Sequence, residues 1–395
     1  MQLQNPATIK FSLFILITAF LIPGISWQGL TQGQAVTPWE RFAAYDAASK
    51  VTIDHSPLTS TLKNSVMPFG RSTSRKKTTG KKEFFKNSHI PKLLNGSPSR
   101  LEGNRLMIHA FSEQHTAFFK NYQEGLENIS LQHPLKTLNH NEQLAYWLNL
   151  YNVIVISKVI EEYPISKLKI FRKEGQSFWR QKVTMVENFP LSLTDIEQIL
   201  IRNWDSPLVI YGLFQGSIGG PSLSREAYTG ENVWKLLDQN AAEFVNSNRG
   251  VIPRKDQLEV SLFYQWTKGA FENSDEVLLA HINAYAEPKF MGDISHLGSI
   301  KYKYYDWYVA DLMEGRTHAG DSSREDNFFP EPGTIEWHLV QAGMWNDLRM
   351  LPPGARKLLI EAITTNEMPI KTPVITTLEC APGDPCGADE ETDGQ

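Results

Sequence analysis

The stretch "LNHNEQLAYWLNLYNVIVISKVIEEYP", residues 138–164, restricts the fold more than any other part of the chain. Asn139 and Glu142 form the N-x-x-E arrangement that caps a helix start, and Pro164 ends the run. Between them apolar side chains fall on nearly every side, so the spacing predicts a helix that runs through the middle of the fold. Glu142, Tyr146, Asn149 and Asn152 share one face of that helix. An unpaired buried amide costs about 1–3 kcal/mol, so this face must meet polar groups. Two partners satisfy it: the backbone of a neighbouring segment, which the asparagines would clamp, or a ligand in a cleft.

A second segment, "VIYGLFQGSIGGPSLSREAYTG" from Val209 to Gly230, raises the question of which partner it is. The apolar run Pro207 to Phe214 reads as a buried strand that ends in a glycine corner. Gly216, Gly219 and Gly220 do not make G-x-G-x-x-G, and no Gly-Lys-Ser/Thr follows, which argues against nucleotide phosphate binding. Neither Ser217 nor Ser222 is centred in the G-x-S-x-G of a nucleophile elbow. A tight turn that lets strand and helix approach closely needs glycine for its own reasons.

The rest of the pattern mixes short helices and strands. "KVTMVENFPLSL" reads as a hairpin, and "LTDIEQILIRNW" as a helix capped by Thr194 and Glu197. Val233, Leu236, Leu237, Ala241 and Phe244 keep helical spacing, Leu258, Val260 and Leu262 alternate as in a strand, and Asn273 with Glu276 caps a further helix. "SIKYKYYDWYVAD" reads as another strand and "PPGARKLLIEAITTNEMP" as a short helix. The expected fold class is α+β: a helix-rich single main domain with a small, mostly antiparallel β-sheet. No internal repeat is present, which removes solenoid architectures.

Composition sets the outer bounds. With 395 residues, 41% hydrophobic and 21% charged, the chain can build a substantial core, and a net charge of −5 argues against nucleic acid as a partner. Lys10 followed by the apolar run Phe11 to Ile22, with Gly24 and Ser26 after it, reads as a signal peptide over residues 1–26; Gly33 and Ala35 leave the cut site open. The expected location is therefore secreted or periplasmic, with no transmembrane segment after cleavage. Residues 27–100 form an N-terminal segment, within which 71–92 carries eight Lys or Arg and one acid, a linker or an attraction to anionic envelope polymers or head groups. Residues 101–310 form the central domain, and 311–395 a C-terminal extension with an acidic tail. Cys380 and Cys386 in that tail read as one disulfide closing a short loop.

No His, Cys or carboxylate cluster has metal-ligand spacing, so no metal and no cofactor are expected. His281 lies on an apolar helix face, where it is either a satisfied core histidine or a base beside a cleft. Asp306, flanked by aromatics, reads as a hydrogen-bonded anchor or an acid with a raised pKa.

Taken together, "NEQLAYWLNLYNVIVISKVIEEYPISKL", "LSLTDIEQILIR", "GSIGGPSLSREAYTG", "LLAHINAYAEP" and "YYDWYVAD" resemble, in this order, domain-of-unknown-function family number 547, over about Trp39 to Trp307. The resemblance implies an exported bacterial protein and brings no established reaction. Many relatives carry cysteines where Gln215 and Gly220 stand here and a histidine where Ile210 stands. Any thiol chemistry of those relatives is closed to this chain, because a carboxamide is no nucleophile at neutral pH.

The expected function is binding of a small ligand or a cell-envelope component in a cleft between the glycine turn 216–220 and the central helix 140–163, by Glu142, Tyr146, Asn149, Asn152, Gln215 and Ser217. One alternative is a hydrolase or acyl-transfer enzyme in which Ser217 or Ser222 attacks, His281 is the base and Gln215 donates to the oxyanion. A third is a structural protein-interaction module. Oligomeric state is left open.

Overall fold

The helix expected at the centre is there: α4 (His140–Glu161) carries 22 residues, and Leu144, Ala145, Trp147, Leu148, Leu150, Tyr151 and Val153 on it are fully buried. Asn139 caps it by accepting from Glu142 N at 3.0 Å. Each large apolar side chain fully removed from water contributes roughly 1.5–3 kcal/mol, so this one helix anchors a large share of the core. The computed structural model describes residues 36–69, 99, 102–173, 177–312 and 314–315, with the backbone of 378–379. The expected signal peptide, the basic run 71–92, the helix beyond residue 351, and Cys380 and Cys386 lie outside the described residues.

Around α4 the chain forms an α+β domain, rich in helix, with small sheets. In chain order the other helices are α1 (Pro38–Arg41), α2 (Ser56–Ser65), α3 (Glu113–Gln132), α5 (Leu193–Asn203), α6 (Val233–Val245), α7 (Leu262–Trp266), α8 (Asp275–Tyr285) and α9 (Pro288–Ile294). The strands are short: β1 (Thr52–Ile53), β2 (Val66–Met67), β3 (Arg105–Leu106), β4 (Lys182–Val186), β5 (Phe189–Ser192), β6 (Val251–Pro253), β7 (Leu258–Ser261), β8 (Ile300–Tyr304) and β9 (Leu378–Glu379). β1 pairs with β9, β2 with β3, β4 with β5 and β6 with β7, all antiparallel, while β8 lies parallel to β7. The β4–β5 hairpin turns on Glu187 and Asn188 with φ of 49° and 59°, the left-handed pair that a two-residue hairpin loop demands.

The described residues from Thr37 onward belong to one compact unit. Phe42, Val51, Ile53, Leu58 and Leu62 from its first part are buried in the same core as α4. Asn203 at the end of α5 donates to Trp39 O and Phe42 O at 3.0 and 3.1 Å, tying α1 down.

Three local expectations are corrected. Pro207 to Phe214 is not a strand: Pro207–Gly212 is a 3-10 helix, capped by Ser206, whose Oγ accepts from Leu208 N. A short run buried on all sides has no period that separates the two. Here Pro207 suits a first helical turn, and side chains take up the loose backbone groups, Asn152 accepting from Phe214 N and Asn240 donating to Tyr211 O. The caps of α5 and α8 are Ser192 and Ser274, where Thr194 and Asn273 were expected. Leu262 opens α7 behind Ser261 and does not continue β7.

Candidate functional site

Five segments converge around the side chains of Gln215 and Arg172. Tyr151 comes from the middle of α4, Glu197 from α5, Trp179 from the short turn Phe178–Arg180, Arg172 from the end of the 3-10 turn Leu168–Arg172, and Trp266 from the end of α7. The hydroxyl of Tyr151 fixes the whole arrangement. It donates to Glu197 Oε1 at 2.8 Å, so its lone pairs are left to accept from Trp179 Nε1 at 2.9 Å and Gln215 Nε2 at 2.8 Å. With its nitrogen held by Tyr151 and by Leu213 O at 3.2 Å, Gln215 turns its oxygen to Arg172, which donates to it through Nη2.

Arg172 is held as firmly as its partner. Its guanidinium stands 4.3 Å from the ring centre of Trp179 and 4.1 Å from that of Trp266, so two indoles bracket it. Nη2 also lies 3.7 Å from Glu197 Oε1, and the side chain is 17% exposed. Among the described residues Nε and Nη1 have no hydrogen-bond partner, so the donors that remain are on the part of the fork not turned to Gln215. Burial raises the Glu197 carboxyl above its usual range, against the pull of Arg172 and of the Tyr151 and Trp179 hydrogen bonds. Burial, reinforced by Glu197, also pushes Tyr151 well above the ordinary phenol. The phenol is thus kept protonated, which is the state the hydrogen-bond pattern requires.

The glycine corner sits beside this cluster, and its residues are explained by what they touch. Gly216 adopts φ of +72°, and a Cβ there would come within 2.9 Å of Val159 and Leu168, so turn and helix are packed directly together. A Cβ on Gly219 would lie 2.5 Å from Asp306 N. The segment after β8 docks here: Ile218 N donates to Tyr308 O, Gly219 N to Asp306 O and Ala310 N to Gly216 O, each at 2.8 Å. Gly220 leaves room for the Gln215 stem, whose Cβ would be 2.9 Å from an added methyl. Ser217 bonds Tyr305 OH at 2.6 Å, and the Tyr305 ring packs against Trp266 and Trp307 at 4.7 and 4.6 Å.

The remaining candidates are distributed along α4 and away from it. Asn149 accepts from Tyr228 N at 3.0 Å and donates to Tyr228 O at 2.7 Å. Asn152 accepts from Phe214 N at 2.9 Å, and Glu142 from Ile53 N and Gly230 N at 2.8 and 3.0 Å. Burial raises the Glu142 carboxyl despite those two bonds. These are backbone clamps on the 209–230 segment and on β1, whereas Tyr146 turns to α3 and donates to Leu126 O. A cavity of about 10 Å³ beside Asn149 and Asn152, lined also by Leu58, Leu62, Val153 and Ile156, is room for a single water.

Ser222 donates to Glu243 and accepts from Asn104 N. His281 shares a hydrogen bond with Tyr211 OH at 2.8 Å and stacks on its ring. Burial lowers His281 to about 4. Among the described residues neither serine is bonded to a histidine, and both amide protons of Gln215 are already given away. Asp306 is a buried anchor, accepting from Ser99 Oγ and from Tyr308 N. Among the described residues no group of three or more His, Cys, Asp or Glu is placed to hold a metal ion.

Sequence reasoning reached Gln215 and Ser217 and missed Tyr151, Arg172, Trp179, Glu197 and Trp266. Their signal in the sequence is faint: Arg172 lies in the cationic "KLKIFRK", and Glu197 invites a capping interpretation that Ser192 and Asp195 in fact fill.

Comparison with known proteins agrees on kinship. Residues 135–245 match the model of the family described as "Protein of unknown function, DUF547". That stretch contains Tyr151, Arg172, Trp179, Glu197, Gln215 and Ser217, and ends with α6. Comparisons with curated proteins and with solved structures gave no match.

Proposed function

We propose that this chain with its DUF547 region is an exported binding protein, which takes a small carboxylate- or phosphate-bearing ligand against Arg172. The site lies at the edge of the junction between the glycine turn and α4, where Gln215 meets Tyr151. Export rests on Lys10 and the apolar run that follows it. The observation that carries the binding role is the bracket: an arginine gripped by Trp179 and Trp266, oriented by Gln215, and left with donors to spend. A guanidinium fixed in advance loses little freedom when it engages an anion, and its planar fork matches carboxylate and phosphate geometry.

The hydrolase alternative is not adopted. It needs a serine, a base and an oxyanion donor in one place, and here Ser217, His281 and the Gln215 amide are each engaged with other partners.

The test is a thermal-shift series on the protein from residue 27 onward, with mono-, di- and tricarboxylates and inorganic phosphate. Ligand at a hundredfold excess over Kd adds about 2.7 kcal/mol of stability, so a binder is readily seen. Arg172→Met, which keeps the apolar stem between the indoles, abolishes the shift, and Gln215→Ala weakens it. A shift that survives Arg172→Met places binding elsewhere, and no shift with any anion removes the proposal.

A further inference from the structure

The turn that carries Arg172 has a second side. Leu168 and Phe171 point inward and are buried, which leaves Lys167, Lys169, Ile170 and Lys173 outward. Ile170 is 62% exposed and has four cationic neighbours, Lys167, Lys169, Arg172 and Lys173, within a few positions. The adjacent turn packs on this one through Phe171 and Phe178, 6.0 Å between ring centres, and adds the exposed Arg180. Lys167 lies over the half-buried ring of Tyr308 at 4.8 Å, beside half-buried Trp307. Of the described acids close by in sequence, Glu161 and Glu162 are both paired with Lys158, while Glu174 follows Lys173 outside the described residues.

We infer that this face docks the protein on an anionic lipid surface. The two ingredients have separate roles. Each lysine or arginine close to a negatively charged leaflet contributes about 1 kcal/mol, and the attraction decays within a Debye length. The exposed isoleucine gives that contact an apolar tooth to place at the head-group boundary, and Tyr308 beneath Lys167 adds an amphipathic ring of the kind suited to the interface. A soluble anionic polymer would engage the cations and gain nothing from Ile170, which is why the lipid surface is the favoured occupant. Among the described residues no helix is long and apolar enough to cross a membrane. This surface does not depend on the ligand proposed for Arg172.

The experiment is co-sedimentation of the chain from residue 27 onward with vesicles of phosphatidylcholine alone and of phosphatidylcholine mixed with phosphatidylglycerol. Binding is expected only to the mixed vesicles and falls as salt rises. Lys169→Gln and Lys173→Gln each weaken it about fivefold, the equivalent of one lysine near the surface. Ile170→Ser weakens it comparably while leaving the salt dependence unchanged. Deletion of residues 71–92 leaves it within about twofold, less than the effect of one lysine. The three substituted side chains are exposed, and thermal unfolding of each variant verifies folding. No binding to anionic vesicles, binding indifferent to Ile170→Ser and to both lysine changes, or binding abolished by the 71–92 deletion overturns the inference.

Discussion

Tyr151 has one proton and two lone pairs, and all three are used: Glu197 takes the proton, Trp179 and Gln215 supply theirs. A hydroxyl used to capacity acts as a hub, because no member can turn without leaving a buried group unpaired. Asn149 is a second such residue on the same helix, with both ends of its carboxamide committed to the backbone of Tyr228. Asn149→Ala strands a buried N–H and a buried C=O together, so denaturant unfolding should show a loss of about 2–4 kcal/mol. Asn149→Asp retains the acceptor and replaces the donor with a second oxygen facing Tyr228 O, and is expected to be no better than the alanine. A loss below about 0.5 kcal/mol for Asn149→Ala, the scale of an ordinary surface change, would show that the clamp does not form.

At the scale of elements, the glycine corner is a seat for the chain after β8. Three backbone hydrogen bonds and the Ser217–Val309 bridge bring residues 305–310 against it, and Gly219 is where the two backbones come closest. Gly219→Ala forces a methyl to within 2.5 Å of a backbone nitrogen that has no side-chain freedom to give way. A loss on the order of 3 kcal/mol is expected from overpacking alone, with Tyr305 and Trp307 displaced as the seat opens. Gly212→Ala is the control, because the nearest atoms to its methyl are the side-chain ends of Leu148 and Leu237, not backbone. If the two variants unfold at the same denaturant midpoint, residues 305–310 are not seated there.

Much of this level was legible in advance. The all-round apolar run gave α4, and its amide face required polar partners, which Asn149 and Asn152 found in the backbone of the 209–230 segment. Other features were hidden by ambiguity. "LSLTDIEQ" contains two overlapping capping frames, Ser192 with Asp195 and Thr194 with Glu197, and only the fold chooses between them. Thr194 donates to Trp179 O and Glu197 goes inward to Tyr151, which leaves the cap to Ser192. The Gln215 cluster was invisible because its members come from separate segments between residues 151 and 266, with no spacing rule to link them.

For the whole molecule, buried histidines contribute to the response to acid, and burial lowers His115 and His140 as well as the two most strongly affected. Burial lowers both His55 and His281 to about 4, from an ordinary value of 6.5, with Asp54 opposing it at His55. The neutral imidazole is favoured in the folded state, so the unfolded chain takes up more protons between those values. Stability from these groups is therefore complete above about pH 6.5 and is lost as pH falls toward 4, by on the order of 3 kcal/mol for the fully buried His55. Glu142 and Glu197, raised by burial, act in the opposite sense just above the ordinary carboxyl range, so the comparison must be with a variant. Melting temperatures followed from pH 7 to 4.5 should fall less steeply in His281→Phe than in the unaltered chain. Equal slopes would mean that His281 titrates alike in both states.

The state of Arg172 is what the binding role depends on, and NMR of the arginine Nε–Hε groups in the protein from residue 27 onward reads it most directly. One resonance, identified by its disappearance in Arg172→Lys, should move saturably as citrate or phosphate is added, while those of exposed arginines drift with ionic strength alone. A signal from Arg172 that stays still through the titration, or drifts in step with the exposed ones, would contradict a bracketed guanidinium with donors reserved for an anion.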